Sequence, residues 1–134
     1  MIYIEIMGGL GNQLFQIFTG ISYSLDNKIP FKINNNKPDK VSPLDNISKR
    51  PTYWDNLLIN LSNFTYNNSL NLPIYREQQF FKYNIIPHIA KDFKLFGYYQ
   101  SYKYFENNYE NITKLIGLKE RKQIIKEKYT NYFK

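Results

Sequence analysis

Three glycines and two amide side chains stand together near the start of the chain, in the segment Gly8-Gly9-Leu10-Gly11-Asn12-Gln13. Glycine has no Cβ, so a ligand can approach the backbone of such a loop closely. A helix that begins there offers free N–H groups and a dipole that favour an anion. The Asn12 amide both donates and accepts hydrogen bonds, which suits a phosphate or a sugar hydroxyl. The same side chain is also a candidate N-cap for the helix.

The two commonest phosphate-binding motifs do not match this loop. A dinucleotide fingerprint requires G-x-G-x-x-G, and Leu14 stands where the third glycine belongs. The acidic residue expected after the second strand is replaced by asparagines at 34–36. A P-loop requires Gly-Lys-Ser/Thr, which the sequence lacks. The loop therefore needs a different explanation.

Strands and helices are predicted to alternate around this loop. Residues 2–7 are short, apolar and β-branched, as in a buried strand, and further strands are predicted at 28–33 and 93–98. Helical spacing predicts that one face of the first helix is apolar, with Leu14, Ile17, Phe18, Ile21 and Leu25. This order predicts an α/β fold with a Rossmann-like parallel sheet. Ligands of such sheets bind at the carboxyl ends of the strands, so loops following different strands can line one crevice.

Four more helices are predicted. Thr52 can cap a helix with an apolar face of Trp54, Leu57, Leu58 and Leu61, and Ser101 can cap one that runs through Phe105. Two others are predicted at 109–118, ended by Gly117, and at 119–132. Residues 34–48 are predicted to be a loop, 64–73 to be irregular with one short strand at most, and 74–92 show no clear period.

Composition narrows the function classes. The 134 residues suffice for one domain, and 43% of them are hydrophobic. The chain has no cysteine and one histidine, so it is not expected to hold a metal. Its net charge of +7 comes mainly from lysine, within a composition typical of an AT-rich gene, and a nucleic-acid partner ranks last. With no apolar stretch of about 20 residues and no signal-type N-terminus, we expect a cytoplasmic protein without a transmembrane segment.

Two segments resemble the α-1,2-fucosyltransferases, glycosyltransferase family 11. The N-terminal motif of that family is similar to Gly8–Gln16, and its second segment resembles Gly97-Tyr98-Tyr99-Gln100-Ser101-Tyr102-Lys103-Tyr104-Phe105. Thr52–Asp55 and Tyr75–Gln78 are similar to some members. The resemblance implies the N-terminal half of a GT-B-type glycosyltransferase. The implied reaction transfers L-fucose from GDP-fucose to the 2-hydroxyl of a β-galactoside, with inversion and no obligatory metal.

The resemblance also implies a site and a missing part. Substrate-binding residues are expected in both segments: Gly8, Gly9, Gly11, Asn12, Gln13, Gln100 and Ser101. The family's His-x-Arg-Arg-x-Asp segment, which binds the sugar nucleotide, has no counterpart here. We therefore expect residues 1–134 to form one N-terminal α/β domain, with little activity by itself. Its expected partners are a nucleotide sugar, a glycan acceptor and a C-terminal half.

Several roles stay open. The catalytic base is unassigned among Asp55, Glu77 and Asp92, and Glu77 is equally well explained by an ion pair with Arg76. Tyr99 and Trp54 could stack on a sugar or belong to the core, Gln13 and Gln16 could face solvent, and His88 is predicted to be a loop residue. The alternative function is a non-catalytic nucleotide- or glycan-binding module, in which the glycine loop is only a turn.

Overall fold

A computed structural model describes residues 1–34, 54, 57–67, 70–79, 82–120, 123, 124 and 127. Within these ranges the chain forms five strands and two complete α-helices: β1 (Ile2–Ile4), α1 (Leu10–Asn27), β2 (Phe31–Asn34), β3 (Thr65–Tyr66), β4 (Ile74–Arg76), β5 (Phe93–Phe96) and α2 (Tyr109–Ile116). Further helical residues follow α2, at 118–120, 123, 124 and 127. Three short 3₁₀ segments add to them: Ile59–Phe64, Tyr102–Tyr104 and Glu106–Asn108.

The five strands form one sheet in the order β3-β2-β1-β5-β4, and every neighbouring pair is parallel. β1 is the central strand, with Ile2 opposite Phe31 on one side and Phe93 on the other. Because all strands run the same way, the loops that follow β1, β4 and β5 leave the sheet at one edge, which we call the carboxyl edge. The predicted α/β fold with a parallel sheet is confirmed.

Helix α1 packs directly on β1. A Cβ built on Gly20 would lie 2.3 Å from Ile4 Cδ1, so the helix and the strand approach more closely than any larger residue permits. Alternate residues of β1 and β5 face the helix and are fully buried, with Ile2, Ile4, Phe93 and Leu95 at 0–1% exposure. This contact fixes where the start of α1 lies relative to the carboxyl edge.

The predicted apolar face of α1 is only partly right. Leu25 is 43% exposed, whereas residues 16–24 are buried without a break. The helix contacts β1 and β2 on one side and α2 and the segments 102–104 and 106–108 on another, so burial exceeds a single stripe.

Other predicted elements differ in length or type. Leu57 and Leu58 lie in a turn followed by the 3₁₀ segment, in place of an α-helix, while Thr52 lies outside the described residues. The helix predicted after Ser101 is a single 3₁₀ turn. α2 ends at Gly117, which has a φ of 70°, as predicted. The loop predicted at 34–48 falls mostly outside the described residues. Within the helix predicted at 119–132, the described residues are helical: 119, 120, 123, 124 and 127. Across the described ranges, no helix is both long and apolar enough to cross a bilayer.

Candidate functional site

The glycine loop turns the chain from β1 into the start of α1. Gly8 has a φ of 80°, a conformation that glycine adopts at little cost, and Gly9 is the N-cap of the helix. The first intrahelical bond runs from Gln13 N to Gly9 O, at 2.9 Å, so the amides of residues 10–12 precede it. No described side chain caps these amides, and the first turn carries no acidic residue. The positive end of the helix dipole is therefore open to an anion.

Asn12 is not the N-cap, so that alternative is wrong. It lies three residues beyond Gly9, in the first turn of the helix. A Cβ on Gly8 would lie 2.8 Å from Asn12 Nδ2, which shows that the amide packs tightly on the loop. Its orientation is therefore fixed by the fold.

Two buried glutamines hold the loop from inside. Gln16 Oε1 accepts a hydrogen bond from Met7 N at 2.8 Å, and its Nε2 donates to Met7 O at 3.2 Å. Gln13 Nε2 donates to Gly8 O at 2.9 Å. Gln13 is 0% exposed and Gln16 is 1% exposed, so the alternative in which they face solvent is wrong for both. Gln13 thus supports the loop from the protein interior, and its predicted contact with a substrate stays a prediction.

Gly9 and Gly11 have a different relation to their surroundings. A Cβ on either would meet no described atom within 4 Å, and neither has a positive φ. Neither backbone conformation nor packing within the described chain requires glycine at these positions. The missing side chains leave the backbone at these positions accessible to close approach by another group.

The second segment forms a bend at the end of β5. Gly97 has a φ of 150° and Tyr99 a φ of 50°, which is uncommon for an aromatic residue and costs about 1–3 kcal/mol. The Glu77 carboxylate holds this bend, because its two oxygens accept hydrogen bonds from Tyr98 N at 3.2 Å and Tyr99 N at 3.1 Å. A Cβ on Gly97 would lie 2.5 Å from Glu77 Cβ, so only glycine lets the carboxylate come this close.

The bend brings the two segments into contact. Gln100 Nε2 donates a hydrogen bond of 2.6 Å to Asn12 Oδ1, across 88 residues of sequence. This bond leaves the Asn12 NH₂ and the Gln100 carbonyl as groups that can bind a ligand. Ser101 takes no part in this contact, since its hydroxyl accepts from Lys103 N at 3.3 Å and caps the following 3₁₀ turn.

The three candidate bases lie in different places. Asp92 precedes β5 at the opposite edge of the sheet, where it binds the Met1 ammonium at 2.6 Å. Asp55 lies outside the described residues. Glu77 lies at the carboxyl edge, and among the ion pairs of the described residues none joins it to Arg76. The structure therefore separates carboxylates that the sequence leaves equivalent.

A cavity of about 290 Å³ opens beside the bend. It lies at the ends of three adjacent strands, β1, β5 and β4, and is lined by Met7, Arg76, Glu77, Phe96, Gly97 and Tyr98. The Arg76 guanidinium carbon lies 4.9 Å from the centre of the Phe96 ring, in a cation–π arrangement. No pattern in the sequence predicts this cavity, because the cavity depends on the pairing of β4 with β5.

Glu5 organises the carboxyl ends of β1, β2 and β3. Its carboxylate accepts from Asn34 Nδ2 at 2.7 Å and from the Tyr66 hydroxyl at 2.8 Å, and Lys94 Nζ lies 4.0 Å away. Burial and the bond to Glu5 raise the pKa of Tyr66 well above its ordinary value. This role of Glu5 was not predicted from the sequence. The signal that could have found it is the position of an acidic residue directly after the central strand.

The aromatic candidates for sugar stacking belong to the core. Tyr99 is 1% exposed, and burial, followed by the nearby Tyr75 and Glu77, raises its pKa strongly. Trp54 is partly buried against the same core. His88 is an exposed loop residue, as predicted, and its Nδ1 lies 2.8 Å from Asn27 Oδ1. The aromatic residues that line the cavity beside the bend are Phe96 and Tyr98.

Comparisons with known proteins do not identify a family. No protein-family model, no curated protein and no solved structure matches the chain. Among the described residues, no group of three or more His, Asp or Glu side chains could hold a metal ion. Function must therefore be inferred from the arrangement at the carboxyl edge. It consists of open helix amides, the Asn12–Gln100 pair and the bend held by the Glu77 carboxylate.

Proposed function

We propose that this chain forms one wall of a sugar-nucleotide crevice in a galactoside 2-α-L-fucosyltransferase that uses GDP-fucose. The observation that carries the proposal is the hydrogen bond from Gln100 to Asn12. It joins the two segments that resemble this family at the carboxyl edge of a parallel sheet, where ligands of α/β proteins bind. The proposal includes a GT-B architecture, in which a second Rossmann-like unit supplies the opposite wall.

The donor's diphosphate is assigned to the start of α1. Open amides at residues 10–12 and the helix dipole favour a negative group there. Bare backbone at Gly9 and Gly11 lets that group approach, and Asn12 can donate to a phosphate or a sugar oxygen. During transfer the acceptor's 2-hydroxyl oxygen bonds to the anomeric carbon and its proton passes to a general base, while the bond from that carbon to the diphosphate oxygen breaks and GDP leaves. The helix dipole would stabilise the charge that develops on the leaving group.

A calorimetric titration of the 134-residue chain with GDP-fucose measures donor binding and so tests the proposal without requiring turnover. Asn12→Ala removes one hydrogen bond to a charged ligand, so we expect about tenfold weaker binding. Asn107→Ala is the matched control, because Asn107 is an exposed asparagine in the segment 106–108, far along the chain from the loop. Binding that both variants leave unchanged would refute the assignment and favour a non-catalytic module.

Gly11→Ala gives a second, independent arm. The new methyl group meets no described atom, and alanine favours the helix over glycine by about 1 kcal/mol, so we expect unfolding to become no easier. We also expect GDP-fucose to bind more weakly, because the methyl group occupies the space assigned to the ligand. A variant that is stable and binds the donor normally would contradict the proposal.

A further inference from the structure

We propose that the cavity at the ends of β1, β5 and β4 binds a single neutral sugar ring, the galactoside to which fucose is transferred. The choice of a galactoside rests on the proposed function. The cavity itself is a feature of the fold, with a volume of about 290 Å³. That volume lies at the lower limit of small-molecule pockets, which suits one ring better than a nucleotide or an oligosaccharide.

The charges in the wall select the class of ligand. Glu77 contributes a carboxylate to the wall and Arg76 a guanidinium. An anionic ligand would therefore be repelled by Glu77, and a cationic ligand by Arg76. A neutral ligand that both donates and accepts hydrogen bonds satisfies the two groups together. Neighbouring hydroxyls on a sugar ring have this property, since one can donate to the carboxylate while the next accepts from the guanidinium.

The rest of the wall suits the apolar face of such a ring. Phe96 is 37% exposed although it is a large aromatic residue, and it lies beside Met7 and Tyr98 in the wall. Stacking of Arg76 on Phe96, at 4.9 Å, orients the guanidinium before any ligand arrives. A site whose polar groups are already oriented spends less conformational entropy on binding.

Glu77 connects this cavity to the donor-side corner. Its oxygens already accept from Tyr98 N and Tyr99 N, and each oxygen keeps a second lone pair for a ligand hydroxyl. The next residue, Gln100, donates to Asn12. One short bend thus has the sugar-binding carboxylate on one side and the proposed donor contact on the other, as a transfer between two bound substrates requires.

The test is a titration of the isotope-labelled 134-residue chain with methyl β-galactoside, followed by backbone amide NMR. We expect the largest shifts at residues 76, 77, 97 and 98. Arg76→Ala should weaken binding about tenfold, because it removes a charged donor. The variant should fold, since Arg76 is exposed. Lys32→Ala, which removes an exposed cation from β2 outside the cavity, should leave the affinity unchanged.

Three outcomes would overturn the inference: no shifts at these residues, equal affinity in Arg76→Ala and wild type, or the same shifts with zwitterionic serine but not with the galactoside. A parallel titration with GDP-fucose separates this inference from the proposed function. Donor binding without galactoside binding removes the cavity assignment alone. Galactoside binding at residues 76, 77, 97 and 98 without donor binding supports a sugar site and removes the proposed transferase.

Discussion

At the carboxyl edge of the sheet, the side chains of Gln16 and Glu77 each bind two backbone groups of a bend, whereas at the amino edge Tyr23 and Asp92 join segments that are far apart in sequence. Gln16 holds both backbone groups of Met7, and Glu77 holds two successive amides after Gly97. At the amino edge, Tyr23 and Asp92 tie the segment 87–92 to the helix and to the N-terminus.

Positive backbone φ follows the same division. Gly8, Gly97 and Tyr99 have positive φ at the carboxyl edge, each in a bend, and at Tyr99 this carries a conformational cost because the residue has a Cβ. The other positive φ values of the described residues belong to Lys28 and Gly117, which end α1 and α2 in ordinary left-handed caps. Strained conformations persist only where the surroundings enforce them, and they concentrate at functional sites. The contacts at the carboxyl edge therefore hold specific bends in place, whereas those at the amino edge close the fold.

The largest effect is expected from Gln16→Ala. The change leaves Met7 N and Met7 O without their side-chain partner and empties a buried position, so the free energy of unfolding should fall by about 3 kcal/mol. Urea unfolding at neutral pH measures it. Gln78→Ala is the control, because Gln78 is exposed and, among the described residues, bonds to Arg76 O alone; we expect a change below about 0.5 kcal/mol. Equal effects in the two variants would mean that the buried Gln16 bonds stabilise the carboxyl edge no more than an exposed bond does.

The next effect appears at alkaline pH. Burial raises the pKa of Tyr99, so the unfolded chain loses the phenol proton first, near pH 10, while the folded state keeps it. Stability contributed by the neutral phenol is therefore complete below about pH 10 and is lost as the pH rises further, by up to about 1.4 kcal/mol per pH unit. We expect Tyr99→Phe to flatten the fall in unfolding free energy above about pH 10.

The matched control is Tyr102→Phe, because Tyr102 is 59% exposed. Urea unfolding over a series of alkaline pH values should show the wild-type slope in this variant and a smaller slope in Tyr99→Phe. Identical slopes in the two variants would mean that the bend after β5 does not keep the Tyr99 phenol buried and neutral.

A smaller effect is expected at the amino edge from Tyr23→Phe. The Tyr23 hydroxyl donates to Pro87 O at 3.2 Å and accepts from Ile89 N at 2.8 Å. Losing both bonds should lower the unfolding free energy by about 1–2 kcal/mol. Hydrogen exchange at the Ile89 amide should accelerate more than exchange in β1, because the segment can open locally. Uniform acceleration throughout the sheet would show instead that this tie supports the whole fold.

The centre of the fold was predictable because its strands are apolar and its first helix has helical spacing of apolar residues. β1, β5 and the start of α1 follow from short apolar runs and helical spacing around the glycines. β4 was missed because Ile74 and Arg76 are exposed and Tyr75 only half-buried, so an edge strand of three residues shows no apolar period. The two-residue β3 is too short to predict with any precision, beyond the one short strand allowed for 64–73.

One contact of the candidate site was predictable from the sequence, and two others were not. The meeting of Asn12 and Gln100 follows from the rule that loops after parallel strands share an edge, and the structure brings the two side chains together. The brace formed by Gln16 was not predictable, because a glutamine on a helix is ordinarily exposed and only the return of the β1 loop gives it two backbone partners. The bonds of Glu77 likewise depend on the pairing of β4 with β5.

The smallest effect is expected from Asp92→Asn. The Met1 ammonium and Asp92 Oδ1 are 2.6 Å apart, yet the Asp92 side chain is 56% exposed, so water and salt screen the pair. We expect a loss of at most about 0.5 kcal/mol at low ionic strength and no measurable loss at about 1 M salt. Urea unfolding at both salt concentrations checks this, with Gln16→Ala measured beside it. Because the Gln16 bonds are buried and neutral, their cost should not depend on salt. A salt-independent loss of about 3 kcal/mol in Asp92→Asn would mean that the pair at the amino edge stabilises the fold as strongly as the buried bonds of Gln16 do. The two edges would then not differ in how side chains stabilise them.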